Sequence, residues 1–251
     1  MPSGRGRPVV DVDRAETWPE PVAAFVSRWA KLLAGTTTYT CDLGGVDLLE
    51  ADEQFRMLLR NHLVRAYHCT RLMEHEISMI RERGLVPLDE SLVKDKLAAA
   101  LRHGAIDQPL HDALVARHVL THPEQAPSRL NQVCLVLSRR TFDHSARSCV
   151  PLLEIWGGEA INWRFDRTDT ENVLRSLGKP SIVSADIDLG QSGKIHFISP
   201  SLSKVFVASR LGFDDIGADV FYSAPVPPEA IDGIWQPGHP EYDRHGNLPA
   251  R

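Results

Sequence analysis

The chain has 251 residues, of which 43% are hydrophobic and 24% are charged, and its formal net charge is −5 at pH 7. This length is enough to bury the core of one large domain, and the composition is typical of globular proteins. The negative balance gives no support to broad electrostatic binding of nucleic acids or acidic membranes. No apolar run approaches the roughly 20 residues that a membrane-spanning helix needs, and a cytoplasmic protein is predicted.

The first residues contain basic side chains with no hydrophobic segment behind them, which is unlike a signal peptide. We expect residues 1–16 to be a disordered lead-in and residues 17–251 to form a single domain. The four cysteines, Cys41, Cys69, Cys134 and Cys149, show no C-x-x-C spacing. This pattern favours buried thiols over disulfides or zinc ligands, so no metal site is predicted.

Helical patterns dominate the first half of the chain. WPEPVAAFVSRWAKLLAG has a proline near its start and Gly35 at its end, which predicts the first helix. After a turn-rich segment at 36–45, LVRAYHC reads as a strand. Helices are predicted around this strand at 52–61, 74–83, 90–103 and 107–120.

Strand patterns become frequent in the second half. NQVCLVLSRR indicates a strand buried on both faces, and the segments PSIVSADIDL and ADVFYSAPV are also read as strands. Helices are predicted at 149–163 in a broken form, at 169–178, at 199–212 and in a short segment beginning at Pro228. Residues 64–70, 132–138, 181–189 and 218–223 are predicted to form one curved, mostly antiparallel sheet. The fold class is therefore α+β with a helix-rich N-terminal half, and a doubly wound sheet ranks second.

His68 is the first candidate ligand-binding residue. It lies within AYHCT, whose other residues favour burial, and Thr70 shares its strand face two residues away. Such a histidine can donate a ring N–H to a sugar hydroxyl, with Thr70 as the companion contact. A histidine whose ring is satisfied inside the core is the alternative.

WGGEAINW is the second constellation. Its glycines permit a positive φ or a close backbone approach, and Trp156 beside Glu159 offers a flat apolar surface next to a carboxylate. The functional interpretation is a base-stacking platform with an acid, and the alternative is a helix break with Trp156 in the core. Arg71 and the pair Arg139-Arg140 flank the candidate pocket strands, where they can bind a pyrophosphate or remain solvated at the surface.

YHCT, followed by a helix that ends in I..RERGL.PL, resembles the first conserved block of the ADP-ribosyltransferase superfamily. That superfamily includes poly-ADP-ribose polymerases, diphtheria-toxin-like enzymes and tRNA 2′-phosphotransferases. A weaker match is the late strand with VPPEAI, which is similar to the closing strand and proline turn of that fold. The resemblance implies an ADP-ribosyltransferase-like curved, split sheet and a cleft, edged by residues 66–71, that binds NAD as a substrate.

The resemblance also implies roles for individual residues. In the histidine branch of the superfamily, an H-x-T strand binds the nicotinamide ribose, which implies that His68 positions the ribose. Asp219 is the first choice for the carboxylate that stabilises an oxocarbenium-like ribose, and Glu159 is the second. The other candidate NAD-binding residues are Tyr67, Thr70, Arg71, Ser138 and Trp156.

The chain departs from the histidine branch at two positions. NQVCLVLSRRTF contains no tyrosine to stack on nicotinamide. Phe142 can take the place of that tyrosine only if the strand register is shifted. Asp219 stands where the branch has a glutamate. The implied activity is transfer of ADP-ribose from NAD to a macromolecular or small-molecule acceptor. An NAD-dependent RNA 2′-phosphotransferase, which needs several converging arginines, and a non-catalytic nucleotide-sensing or interaction domain are the alternatives.

Overall fold

One open sheet, flanked by helices, forms the centre of this mixed α+β protein. The computed structural model describes residues 6–34, 48–143, 149–161, 168–189, 195–199, 201–213 and 218–250. The turn-rich segment at 36–45 with Cys41, the predicted helix end at Gly35 and the first five residues of the expected lead-in lie outside the described residues.

The sheet has seven strands within these ranges, and its path runs β5-β6-β3-β2-β4-β7. Every neighbouring pair on this path is antiparallel, whereas β1 pairs in parallel with the start of β2. This pairing confirms a mostly antiparallel sheet and argues against the doubly wound alternative. The strands are β1 Val9–Val10, β2 Leu63–Leu72, β3 Val133–Val136, β4 Lys179–Ile187, β5 Ile195–Ser199, β6 Asp219–Tyr222 and β7 Ile231–Trp235.

The sheet is divided between its two central strands. β2 and β4 are paired from Val64 to Leu72 along almost the whole of β2, whereas the described pairing of β2 with β3 consists of Tyr67 opposite Val136. The halves β5-β6-β3 and β2-β4-β7 are therefore joined at one position. No further ladder pairing joins β2 and β3 within the described residues.

Helices surround the sheet, and the predicted helix at 74–83 is confirmed as α3. Phe206 of α10 contacts Trp18 and Phe55 at ring-centroid distances of 5.3 and 5.0 Å, which packs α1, α2 and α10 together. The helices are α1 Glu20–Leu33, α2 Leu48–Leu58, α3 Glu74–Arg83, α4 Glu90–Arg102, α5 Gln108–Arg117, α6 Arg140–Asp143, α7 Val150–Glu154, α8 Gly158–Ile161, α9 Thr168–Ser176, α10 Leu202–Leu211 and α11 Pro240–Asp243.

Two expectations about the ends of the chain are corrected. Residues 6–16 are not a disordered lead-in, because β1 pairs with β2 and the apolar side chains of Val10 and Val12 are fully buried. The predicted helix at Pro228 is a single turn of 3-10 helix, followed by β7. Gly233 disfavours a longer helix, and Trp235 packs at 5.5 Å from the ring of Tyr67 once β7 pairs with β4.

Candidate active site

A cleft of about 490 Å³ opens beside the division in the sheet, within the size range of small-molecule sites. Strands β2, β3 and β6 form one wall, and helix α4 with the segment around α7 and α8 forms the other. Much of the lining is aliphatic, contributed by Leu85, Val86, Leu88, Leu92, Val93 and Leu152. Five predicted site residues also line it, namely Tyr67, His68, Thr70, Glu159 and Asp219.

The His68 ring bridges the two halves of the sheet. Its Nδ1 lies 2.8 Å from the main-chain oxygen of Cys134 on β3. A carbonyl oxygen only accepts, so Nδ1 carries the proton and donates it. The ring therefore occupies the gap that opens after Tyr67 and Val136, the paired residues of β2 and β3.

The second ring nitrogen of His68 is available to a ligand. The residue is half-buried and lines the cleft, and Nε2 has no hydrogen-bond partner within the described residues. Burial lowers the pKa of His68, and the positive charge of Lys96 lowers it further against the opposing hydrogen bond to Cys134. A neutral ring with its proton on Nδ1 has an unprotonated Nε2. Nε2 of His68 can therefore act as a hydrogen-bond acceptor in the cleft, whereas a ring N–H donor was expected.

Tyr67 and Thr70, the other two predicted binding residues on β2, contribute to the cleft in different ways. The Tyr67 ring is 1% exposed and contacts the rings of Phe142 and Trp235 at 5.6 and 5.5 Å. Burial raises the pKa of Tyr67, so its hydroxyl stays neutral. Thr70 is nearly buried and its hydroxyl donates a weak 3.4 Å bond to the oxygen of Arg71. Tyr67 therefore contributes to the cleft from the core side, whereas His68 and Thr70 share the opposite face of β2.

Both candidate carboxylates lie in the same cleft as Cys134. Asp219 and Glu159 each raise the pKa of the Cys134 thiol, although burial is the larger cause, and the pKa reaches about 11. Asp219 is exposed at the first position of β6, opposite Val136. Glu159 is exposed at the start of α8 and is paired at 2.5 Å with Arg129. The neighbouring arginine partly neutralises the charge of Glu159.

Arg71 does not lie in the cleft, contrary to the expectation. It is 4% exposed and its guanidinium donates to the main-chain oxygens of Leu177, Leu153 and Gly178 at 2.9, 3.2 and 2.9 Å. These bonds tie the end of β2 to the segment around α7 and α9. Because its donors satisfy buried carbonyl groups, Arg71 is a structural residue and not a pyrophosphate ligand.

Ser138 and Trp156 are also outside the cleft lining. The Ser138 hydroxyl is fully buried and donates at 2.7 Å to the carboxylate of Asp13. Trp156 has no exposed surface, and its ring N–H donates at 2.8 Å to Glu76. Trp156 therefore offers no surface for stacking and occupies the core, which was the alternative interpretation of this segment. Arg139 is likewise paired with the carboxylates of Asp11 and Asp13. Arg140 donates to the main-chain oxygens of Phe213 and Ser209.

Three cleft residues were missed from the sequence. Phe221 lines the cleft two residues after Asp219, on the same face of β6. Strand alternation in ADVFY pointed to it, whereas the suggested substitute Phe142 is fully buried against Tyr67. Cys134 keeps solvent-accessible surface, where a buried thiol was expected, although the protein around its thiol still raises the pKa of that group. Lys96 of α4 also lines the cleft, and a charged residue in the middle of a helix gives no sequence signal of such a position.

No family model, curated protein or solved structure matches the chain in comparisons with known proteins. Across the part of the chain that the structure describes, no group of three or more His, Cys, Asp or Glu side chains is arranged to hold a metal ion. None of the helices within the described ranges combines the length and the apolar character that crossing a bilayer demands.

Proposed function

We propose that this chain binds NAD in the cleft and transfers its ADP-ribose to an acceptor, within an ADP-ribosyltransferase-like fold. The observation that carries the proposal is the fixed tautomer of His68. Its Nδ1 is engaged by Cys134, and its Nε2 is directed to a cleft that also contains the carboxylates of Asp219 and Glu159. A ribose hydroxyl is a hydrogen-bond donor that matches this acceptor.

The chemistry assigned to the cleft is dissociative. The bond between C1′ of the nicotinamide ribose and the ring nitrogen breaks, and its electron pair leaves with nicotinamide. The ribose carries positive charge until an acceptor lone pair forms the new bond to C1′ and the acceptor loses a proton. A preorganised carboxylate at Asp219 stabilises that charge, while His68 fixes the sugar, so positioning and electrostatics supply most of the rate.

Phe221 supplies the aromatic surface that the expected tyrosine would provide. Phe221 is half-buried and lines the cleft. On the neighbouring strand β3 it is paired with Cys134, whose main-chain oxygen accepts the hydrogen bond from His68. An aromatic ring in this position offers a face or an edge to a flat heteroaromatic group. The Phe221 ring is therefore assigned to the nicotinamide end of the substrate.

The two alternative functions make different demands on the cleft. RNA 2′-phosphotransfer requires several arginines around a phosphate, and Arg129 is the arginine that lines the cleft within the described residues. Its pairing with Glu159 further reduces the support for this reaction. A non-catalytic nucleotide-binding domain requires only the cleft and His68, so it differs from the proposed function in turnover and not in binding.

Release of nicotinamide from NAD tests the proposed function. We expect the wild-type protein to release nicotinamide, and His68→Ala and Asp219→Asn to release less. His111→Ala is the matched control, because His111 lies on α5 and is absent from the cleft lining. Labelled RNA or a cell lysate added as acceptor then separates phosphotransfer from ADP-ribosylation. NAD binding without release of nicotinamide would favour the non-catalytic alternative.

A further inference from the structure

A buried carboxylate lies behind the cleft and is linked to it by a lysine. Glu76 of α3 is 7% exposed, and its Oε2 accepts hydrogen bonds of 2.8 Å from the main-chain N–H of Met73 and from the indole N–H of Trp156. Its Oε1 lies 2.5 Å from the ammonium of Lys96. Burial raises the pKa of Glu76, but Lys96 and the hydrogen bonds outweigh this and hold the pKa below its ordinary value.

Lys96 is held in place from two directions. Besides the contact with Glu76, its ammonium lies 4.9 Å from the centroid of the Trp156 ring, within the range of a cation–π interaction. An ammonium normally keeps its freedom on a flexible four-carbon stem. Here the carboxylate and the indole fix its position before any ligand arrives, which is the preorganisation that an efficient binding group requires.

The ammonium nevertheless faces the cleft. The Lys96 side chain is 21% exposed and lines the cleft among aliphatic residues. An ammonium has three N–H donors. Within the described residues Glu76 accepts from this ammonium, so further donors remain for a ligand. The charge of Lys96 also reaches His68, whose pKa it lowers after the larger effect of burial.

We propose that Lys96 is the anion-binding residue of this cleft and that, with Glu76 and Trp156 holding it in place, it binds a phosphate group of the ligand. This inference rests on the proposed function to the extent that the phosphate belongs to the pyrophosphate of NAD. Glu76 and Trp156 are positioning residues, since neither is needed to touch the ligand. A role limited to neutralising Glu76 is the competing explanation for Lys96.

Four variants separate these explanations. Lys96→Met removes the cation and leaves the buried Glu76 carboxylate without its ion-pair partner, which is destabilising. Glu76→Gln combined with Lys96→Met removes both charges, so its fold is protected from that penalty. Glu76→Gln alone keeps the cation, and Lys96→Arg keeps a positive charge. Thermal unfolding of each variant is measured first, so that binding is compared only between folded proteins.

Binding of inorganic pyrophosphate and of ADP-ribose, measured by isothermal titration calorimetry at constant ionic strength, provides the test. We expect the double variant and Lys96→Met to lose about 10-fold or more in affinity for both probes, the effect of removing a hydrogen bond to a charged group. Lys96→Arg is expected to retain most of the affinity. Glu76→Gln keeps the cation but weakens its anchor, so its loss of affinity is expected to be smaller than that of Lys96→Met. A folded double variant that binds both probes as the wild type does would overturn the proposal, as would a wild type that binds neither.

The result is distinguishable from failure of the proposed function. Pyrophosphate binding that depends on Lys96, without release of nicotinamide from NAD, would leave this inference standing and remove the transferase. Release of nicotinamide at equal rates by the wild type and the folded double variant would keep the transferase and remove the role of Lys96.

Discussion

Leu85 and Val226 exchange two main-chain hydrogen bonds of 2.9 Å. Leu85 follows the glycine turn that ends α3, and Val226 precedes the proline turn before β7. The two segments that carry the resemblance to ADP-ribosyltransferases are far apart in the sequence but are in direct contact here. Leu85 is also part of the cleft lining.

Gly84→Ala should disrupt this contact. Gly84 has φ of +78°, and an added Cβ would lie 1.9 Å from the carbonyl oxygen of Val226. Backbone strain of this kind costs about 1–3 kcal/mol, and the steric clash adds to it. Urea denaturation should therefore show a loss of more than about 2 kcal/mol in the free energy of unfolding. Gly104→Ala is the control, because Gly104 also has a positive φ of +66° but open space around it. Equal losses for both variants would contradict the close approach at Val226.

The strands and helices with clear periodicity could be predicted from the sequence, whereas the hydrogen-bond partners of individual polar side chains could not. The strand with His68 and helix α3 were found because alternation and helical spacing are local properties. Arg71 and Trp156 were misplaced because their directions depend on what the rest of the chain provides. Arg71 turns to main-chain oxygens of α7 and the turn after α9, and Trp156 turns to Glu76, eighty residues away in the sequence. Such long-range polar pairs leave no local signal.

Asp219 and Glu159 should differ in their effects on turnover. Asp219→Asn removes a charge needed only when the ribose becomes cationic, so we expect a large fall in kcat with a small change in KM. Glu159→Gln frees Arg129 from its ion pair, and we expect a smaller change in kcat. Steady-state rates of nicotinamide release measure both variants. The reverse pattern would transfer the catalytic role to Glu159.

Phe221 should contribute to binding through its ring. Phe221→Leu retains apolar volume but removes the aromatic face, and we expect NAD affinity to fall by about 0.5–1.5 kcal/mol. Phe221→Tyr keeps the ring and should retain most of the affinity. Isothermal titration calorimetry with NAD and with ADP-ribose measures the difference. Since ADP-ribose lacks nicotinamide, a similar loss for both ligands would contradict the assignment of Phe221 to the nicotinamide end.

His68 should give NAD binding a pH dependence of known sign. Burial, with a further contribution from Lys96, lowers the pKa of His68 below its ordinary value of 6.5. The ring is therefore neutral at pH 7, and NAD affinity should stay constant above pH 6.5 and decrease only at lower pH, when Nε2 gains a proton. His68 also affects folding stability, because the unfolded chain protonates this histidine more readily than the folded protein does. The contribution of His68 to the free energy of unfolding is therefore present above pH 6.5 and lost as pH falls through the lowered pKa.

NMR of the imidazole nitrogens measures this titration directly, and NAD affinity is measured over the same pH range. His68→Gln supplies an amide whose charge does not change with pH, so its NAD affinity should lose the dependence. An imidazole that titrates above pH 6.5 would contradict the lowering of the His68 pKa by burial and Lys96. A neutral imidazole that carries its proton on Nε2 would be inconsistent with the bond from Nδ1 to Cys134.

The affinity of NAD for the wild type and for His68→Ala tests the central claim most directly. Calorimetry should show NAD binding to the wild type and a loss of about 1–3 kcal/mol in the variant, the usual effect of leaving a buried hydrogen-bond partner unsatisfied. The melting temperature of the ligand-free variant should change little, since His68 makes one described hydrogen bond to Cys134. Equal NAD affinities with a large fall in melting temperature would show that His68 is structural. A wild type that fails to bind NAD would contradict the account as a whole.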